Sequence, residues 1–280
     1  MLDDPDARAA TFALFRAHGR ELGDTPALGA LAAAPYFATD DGTRTVMAFS
    51  RPATGGGFAH TLLGTPVTER ILVDTGAAAP VLVEAAEVTL TPVAVPGRLT
   101  IHAVTVAEGA GIPVTPADGL EAARARSAFL ARVAAAYEIL GAAEGAFALA
   151  IDHANGRVQF GQPIGTFQAV RHLLAWAVTD TRAVESVTDV ARDLDVAAPP
   201  RFDEIVKALA GRNGRRACER SLQVLGAIGF TAELDHHHFH SRVLALDAVA
   251  GTSAELATAL GAWVRAERPD PRIAPAVLSA

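Results

Sequence analysis

Three groups of residues in this chain have the types and spacing for chemistry. The run Glu233-Leu-Asp-His-His-His-Phe-His-Ser-Arg242 holds four histidines within five positions. His236 and His240 stand four residues apart, which on a helix places two imidazoles on one face for a metal ion. The same run also suits a turn and helix start with Asp235 as N-cap. Cys218, the only cysteine, lies among Arg215, Arg216, Glu219 and Arg220. Arginines beside an exposed thiol lower its pKa, whereas on a packed helix face Cys218 is simply a small apolar residue. Glu138 and Glu144 fall inside a long apolar helical pattern. A carboxylate sheltered from water can serve as a general base, and a bundle carboxylate otherwise needs a hydrogen-bond partner.

Two further segments carry more information than any single residue. They are Arg157-Val-Gln-Phe-Gly-Gln-Pro-Ile-Gly-Thr-Phe-Gln-Ala-Val-Arg-His172 and Gln223-Val-Leu-Gly-Ala-Ile-Gly-Phe-Thr231. Arginine donates two parallel bonds to a pyrophosphate, and glycine lets a backbone approach a phosphate closely. Taken alone, Arg157 would close a helix and face solvent, and Gly226 would be a helix C-cap. Together the segments resemble the C-terminal half of the acyl-CoA dehydrogenase family. There they read "R-x-Q-F-G-x-P-I-G-x-F-Q-A-V-x-H" and "Q-x-x-G-G-x-G-F-T". The resemblance implies FAD as cofactor, with Arg157, Phe160, Gln223, Gly226 and Thr252 as cofactor-binding residues. It also implies that Arg157 and Phe160 reach a flavin bound mainly by a neighbouring subunit. Ala227 replaces the usual glycine, which narrows the space for a dinucleotide.

The family removes the substrate α-proton with a glutamate while a hydride passes from the β-carbon to the flavin. That glutamate usually stands in "E-G-T". The matching stretch is Val249-Ala250-Gly251-Thr252-Ser253, so Ala250 occupies the base position. An alternative position on the first bundle helix, counted back from Arg157, is Ala131. Neither alanine accepts a proton, so no catalytic residue is assigned. Glu138, two turns from Ala131, and Glu144 are the weak substitutes. Thr252-Ser-Ala-Glu255 also has the capping-box pattern, and Val46-Met-Ala-Phe-Ser50-Arg-Pro52 vaguely resembles the family's "A-L-T-E-P" strand.

These residues require a scaffold. Helical patterns are expected at roughly 6–21 and 26–34. Short runs rich in Val, Ile, Leu and Thr follow at 45–50, 70–75, 80–84, 87–93 and 98–106, punctuated by Pro52-Ala-Thr-Gly-Gly-Gly57 and Val95-Pro-Gly97, and read as a small antiparallel β-domain. From Pro116 a stripe of Leu130, Val133, Tyr137, Leu140, Phe147 and Ile151 predicts a long helix ending at Asn155-Gly156. Further helices are expected at about 165–194, 201–226, 234–249 and 254–267, with Pro269 and Pro271 ending regular structure. The fold class is α+β and mostly helical: residual helices at 1–34, a β-domain at 35–115 and an antiparallel bundle at 116–280. This layout resembles an acyl-CoA dehydrogenase with its N-terminal helical domain truncated, like the reduced subunit of actinobacterial heteromers.

The implied function is that of a subunit of an FAD-dependent acyl-CoA dehydrogenase in fatty acid or steroid metabolism. Its implied partner is a homologous full-length subunit, as heterodimer or heterotetramer, or another copy of itself. The alternative is a family-fold protein without redox activity, a scaffold or lyase. Half of the 280 residues are hydrophobic and the net charge is −7, which argues against nucleic acid. The acidic start Met-Leu-Asp-Asp-Pro-Asp is no signal peptide, and charge interrupts every apolar stretch, so no membrane span and a cytoplasmic location are expected. Lys207 is the only lysine, a composition that fits GC-rich coding.

Overall fold

The computed structural model describes residues 4–38, 42–65, 68–95 and 98–268. The stop expected at Pro269 and Pro271 lies outside them, as does part of the turn at Val95-Pro-Gly97.

Two helices open the chain, α1 (Pro5–Arg20) and α2 (Ala27–Ala33). Asp4 starts α1 by accepting the Ala7 N–H at 3.1 Å, and Pro5 fits the first helical position, where no N–H is needed. Seven strands follow: β1 (Thr45–Pro52), β2 (Phe58–Leu63), β3 (Arg70–Val73), β4 (Val81–Glu84), β5 (Val88–Pro92), β6 (Ile101–Val106) and β7 (Ile112–Pro113). They form one sheet in the order β5-β6-β2-β1-β3-β4-β7. All pairs are antiparallel except β1 with β3, which run parallel. The expected antiparallel domain is thus found, with one parallel pair inside it. Strand β2 was not anticipated, because Phe58–Leu63 follows three glycines and has only two aliphatic residues at its end. Alternation sorts the faces. Val46, Ala48, Leu62, Ile71, Val73 and Val104 pack together on one side, while Met47, Phe49 and Leu63 turn toward the helices.

The bundle begins with α3 (Leu120–Gly156), followed by a hairpin of β8 (Val158–Gln159) and β9 (Gln162–Pro163). Then come α4 (Gln168–Leu194), α5 (Phe202–Leu225), α6 (His236–Asp247) and α7 (Ser253–Glu267). The expected stripe on α3 proves too narrow. Every residue from Val133 to Ala143 is buried, because α1, α4, α5 and α6 surround the helix. Alanine and glycine allow this: a β-carbon at Gly19 would collide with the Glu138 carbonyl, and one at Gly141 with that of Arg16. The α1 and α3 backbones therefore cross in contact. By length and composition α3 alone among the described helices could cross a membrane, contrary to the sequence expectation; here it is the bundle's core.

Candidate functional site

A cavity of about 780 Å³ opens where the inner face of the sheet meets α3 and the end of α6. Met47 and Phe49 of β1 and Thr61 and Leu63 of β2 form its floor. Ala128 and Ala131 of α3 line it together with Ala248, Ala250 and Gly251, and Ala250 packs against the cluster that holds Ala131. Ala131, Ala250 and Thr252, singled out far apart in sequence, thus share one cavity. Its wall at both alanines is methyl, so no proton acceptor projects there.

The segment between α6 and α7 departs from helical geometry. Ala250 has φ 55° and Gly251 φ 102°, the first of which costs a non-glycine residue about 1–2 kcal/mol. Thr252 then restarts the helix through the expected capping box. Its hydroxyl accepts the Glu255 N–H at 3.2 Å, and Glu255 Oε2 accepts the Thr252 N–H at 2.9 Å. The backbone and hydroxyl bonds from Thr252 hold the Glu255 carboxyl below its usual range. Glu255 lines the cavity, yet it is a poor proton acceptor in this state.

At the other rim, Asp74 accepts both Arg124 Nε and Nη2 at 2.8 Å and the Tyr36 hydroxyl at 2.7 Å. Burial would raise the Asp74 carboxyl, but Arg124, the Gly76 N–H and Tyr36 together bring it below the ordinary value. Burial and the Asp74 bond push the Tyr36 phenol up, so it stays a neutral donor at the cavity edge.

The flavin-motif residues lie elsewhere. Arg157 caps the C-terminal end of α3, 26 residues and so roughly 39 Å along the axis from Ala131. It faces solvent. The next residues make a two-residue hairpin whose central pair, Phe160 (φ 51°) and Gly161 (φ 79°), are both left-handed. Glycine takes this freely; phenylalanine does not. Phe160 is also 92% exposed, with only an edge contact to Phe167 at 6.2 Å between centroids. Gln223 is exposed on the last turn of α5, and Gly226 follows with φ 65° and open space where a side chain would be. Ala150, Ala154, Val224 and Leu225 pack these two ends together. The bundle end therefore presents a guanidinium, an amide, an aromatic ring and a side-chain-free backbone turn to the outside. In donor type and in open backbone these groups are chemically compatible with the ADP portion of a dinucleotide, and Ala227 is exposed beside them.

Glu138 is not at the cavity. Seven residues beyond Ala131, it is buried between α1 and α6, with Oε1 3.1 Å from His18 Nδ1 and 3.5 Å from Arg242 Nη1. Arg242, itself enclosed, also donates to the carbonyls of His18 at 3.0 Å and Arg98 at 3.1 Å and to that of Gly23. Glu144 pairs with Arg16 at 2.5 and 2.9 Å. Both carboxylates join helices, and neither reaches the cavity.

The histidine run pairs its rings, His237 with His238 at 3.9 Å and His236 with His240 at 6.1 Å between centroids, but no three metal-ligating side chains gather among the described residues. His236 is buried and donates from Nε2 to the Cys218 carbonyl at 2.9 Å, while His237 donates from Nδ1 to Leu234 at 3.0 Å. Burial holds His236, His238 and His240 below the usual imidazole range. Asp235 occupies the N-cap position but makes no capping bond; it accepts Arg98 at 3.2 Å instead. Cys218 is fully enclosed, and burial pushes its thiol up to about 12. Of the two readings, the packed small residue is the one found: Arg215 and Arg216 are exposed, and Arg220 is taken by Asp180 and the Trp176 carbonyl.

Sequence reasoning missed Lys207 and Arg132, which hold the segment carrying Ala250. Being the chain's only lysine was the available signal for Lys207, and it was ascribed to coding composition.

A family model described as the acyl-CoA dehydrogenase C-terminal domain matches residues 117–264. Acyl-CoA dehydrogenase IpdE2 of Mycobacterium tuberculosis is 33% identical over 112 residues, 40% of this chain and 34% of that protein. The first such relatives are thus matched over about a third of their length. Among solved structures, the Tcur3481–Tcur3483 steroid ACAD superposes with a TM-score of 0.79 at 20% identity, covering 94% of this chain and 82% of that one. The ChsE4–ChsE5 complex of Mycobacterium tuberculosis gives 0.73 at 22% identity, covering 93% and 80%. At these identities the superpositions speak for the fold.

Proposed function

Because the chain belongs to the acyl-CoA dehydrogenase family, we propose that it is a subunit of an FAD-dependent enzyme that desaturates an acyl-CoA thioester between its α- and β-carbons. In this reading a homologous full-length subunit supplies the base, and the present chain completes that subunit's cofactor site. One observation carries it: alanines stand at both expected base positions in the cavity, while the flavin motif lies at the far end of α3. A motif roughly 39 Å from its own cavity supports a role at another subunit's site.

Arg157 would hold a pyrophosphate through paired N–H donors, Gln223 would bond through its amide, and Phe160 would cover an apolar face. Gly226 would let the backbone approach the dinucleotide, and Thr252 would offer its hydroxyl at the cavity. Bound FAD would supply the hydride acceptor that no amino acid provides. The cavity's apolar floor would take the acyl group and exclude water from it. The steroid ACAD among the similar structures makes a steroid-derived acyl-CoA the first substrate to assay, ahead of fatty acyl-CoA.

Co-expression with a full-length homologue tests this. A yellow complex with a flavin spectrum, and desaturation that needs both chains, is the expected result. The same two alanines favour one second reading, a family-fold protein without redox activity, whose complexes would be colourless.

A further inference from the structure

Lys207 has no part in the chemistry above, yet it is wholly enclosed. Its Nζ lies 3.0 Å from the Asp247 carbonyl oxygen, 3.1 Å from that of Gly251 and 3.6 Å from Asp247 Oδ1. Enclosing an ammonium group is costly, and three convergent oxygens on one segment offset the cost. Gly211, one turn along α5, makes room for them: a β-carbon there would collide with the Asp247 carboxylate. That carboxylate in turn accepts the N–H and the hydroxyl of Ser253, both at 3.0 Å. Arg132 grips the segment from α3 through the Ala250 carbonyl. The carbonyls of residues 247, 250 and 251 are thus each taken by a cation from a helix outside the segment. This happens where helical bonding lapses between α6 and α7.

We infer that Lys207 is a positioning residue whose amine, with Arg132 as a second arm, fixes the 247–251 segment and so the cavity wall that carries Ala250. The inference deepens the functional reading and rests on it only in taking the cavity as the ligand site. The order of the segment itself is measurable without a ligand.

The charged groups around the amine are Asp247 on α6, Glu255 on α7 and Arg132 on α3, the last balanced by Asp203 and Glu204. Burial brings the amine down to about 8 from its ordinary 10.5. When the segment opens, the amine regains water and its ordinary proton affinity. Between those two values the open form binds more protons than the closed form, so rising pH favours closure.

Hydrogen exchange on the purified full-length chain between pH 7 and 10 tests this. The amides of Val249, Thr252 and Ser253 report, since each has an acceptor in the closed form. Their protection factors should be level from pH 7 to 8 and then rise by up to about tenfold per pH unit. In Lys207→Met they should be independent of pH and lower than wild type at pH 10. Protection that stays level or falls in the wild type above pH 8, or a slope that survives in Lys207→Met, would overturn the assignment. Should Lys207→Met fail to fold, the wild-type slope still decides. Octanoyl-CoA titrated into the co-expressed complex separates the two readings: no binding despite the expected slope supports the Lys207 clamp and counts against the cavity as an acyl site.

Discussion

Arg132 Nε donates to the carbonyl oxygen of Ala250 at 3.0 Å, so the neighbour of one cavity alanine holds the backbone of the other. Arg132 is itself steered by Asp203, 2.7 Å from Nη1. Arg132→Met keeps much of the side-chain volume but removes these charge-assisted bonds. It leaves the Asp203 carboxylate without its partner at a half-buried site. A loss of about 1.5–3 kcal/mol is expected in urea unfolding. A midpoint unchanged from wild type would mean that the left-handed Ala250 needs no such support.

Glu138→Gln tests whether Glu138 is a relocated base or a structural anion. Here it faces the enclosed guanidinium of Arg242. Neutralising it leaves a buried cation without its counter-charge, a change that costs about 3–5 kcal/mol. The lower end is expected, because three carbonyls still accept from Arg242. Activity per folded complex should be unchanged. A well-folded Glu138→Gln complex that has lost turnover would restore Glu138 as a base.

The legible part of this molecule was the part written in local rules. Helix ends at Thr252 and Gly156, and the exposed Arg157, follow from caps and short patterns. Family registers singled out Ala131 and Ala250 separately; that both line one cavity is a tertiary fact no local signal carries. What escaped was set by tertiary contact. Glu138 shares a helical face with Ala131 by periodicity, but α1 crosses at Gly19 and covers that turn. Lys207 looks like any surface lysine until α6 and α7 close over it.

Phe160 combines near-complete exposure with a left-handed backbone, two costs that the isolated chain does not repay. Phe160→Asn suits the hairpin better and should raise the chain's own stability by up to about 1 kcal/mol. The same change should lower flavin retention in the assembled complex, as should Arg157→Ala, with little effect on folding. Absorbance of gel-filtered complexes measures the first effect and urea unfolding the second. Equal flavin content in parent and variants would reduce both residues to surface.

The alkaline stability profile should rise before it falls. Lys207 is held near 8 in the folded chain, below its unfolded value, so the unfolded chain binds more protons and stability grows as pH increases from about 8 to 10. Tyr36 and Tyr137 shift the other way. Burial and then their bonds to Asp74 and Asp189 raise them, so the folded chain holds more protons above pH 10 and stability declines there. At the acid end Asp74, Glu185 and Glu255 sit below their usual range. Their contribution is present above the unfolded carboxylate values, about 4, and is lost progressively as pH falls below them toward the lower folded values. Urea midpoints across pH 3–11 measure all three limbs. A profile that falls steadily from pH 8 would contradict the assignment of Lys207.

The chain by itself should not desaturate acyl-CoA in a dye-reduction assay. Its cavity offers methyl groups at Ala131 and Ala250, Glu255 is committed to capping α7, and Asp74 is held by Arg124 and Tyr36. Without a poised base about 10²–10⁴ in rate is forfeited, which leaves residual turnover at most. Adding a full-length homologue should produce activity that depends on that partner's glutamate. In the same complex, Ala250→Glu would return a carboxylate to the family position. It would do so on a backbone already in a left-handed conformation, with Arg132 holding the carbonyl of residue 250 itself and Lys207 that of Gly251. A gain of even tenfold in partner-independent turnover would show that the segment is still aimed at substrate. Robust activity of the unmodified chain alone, lost in Glu144→Gln or Glu138→Gln, would instead mean that a carboxylate now pairing helices does the proton transfer.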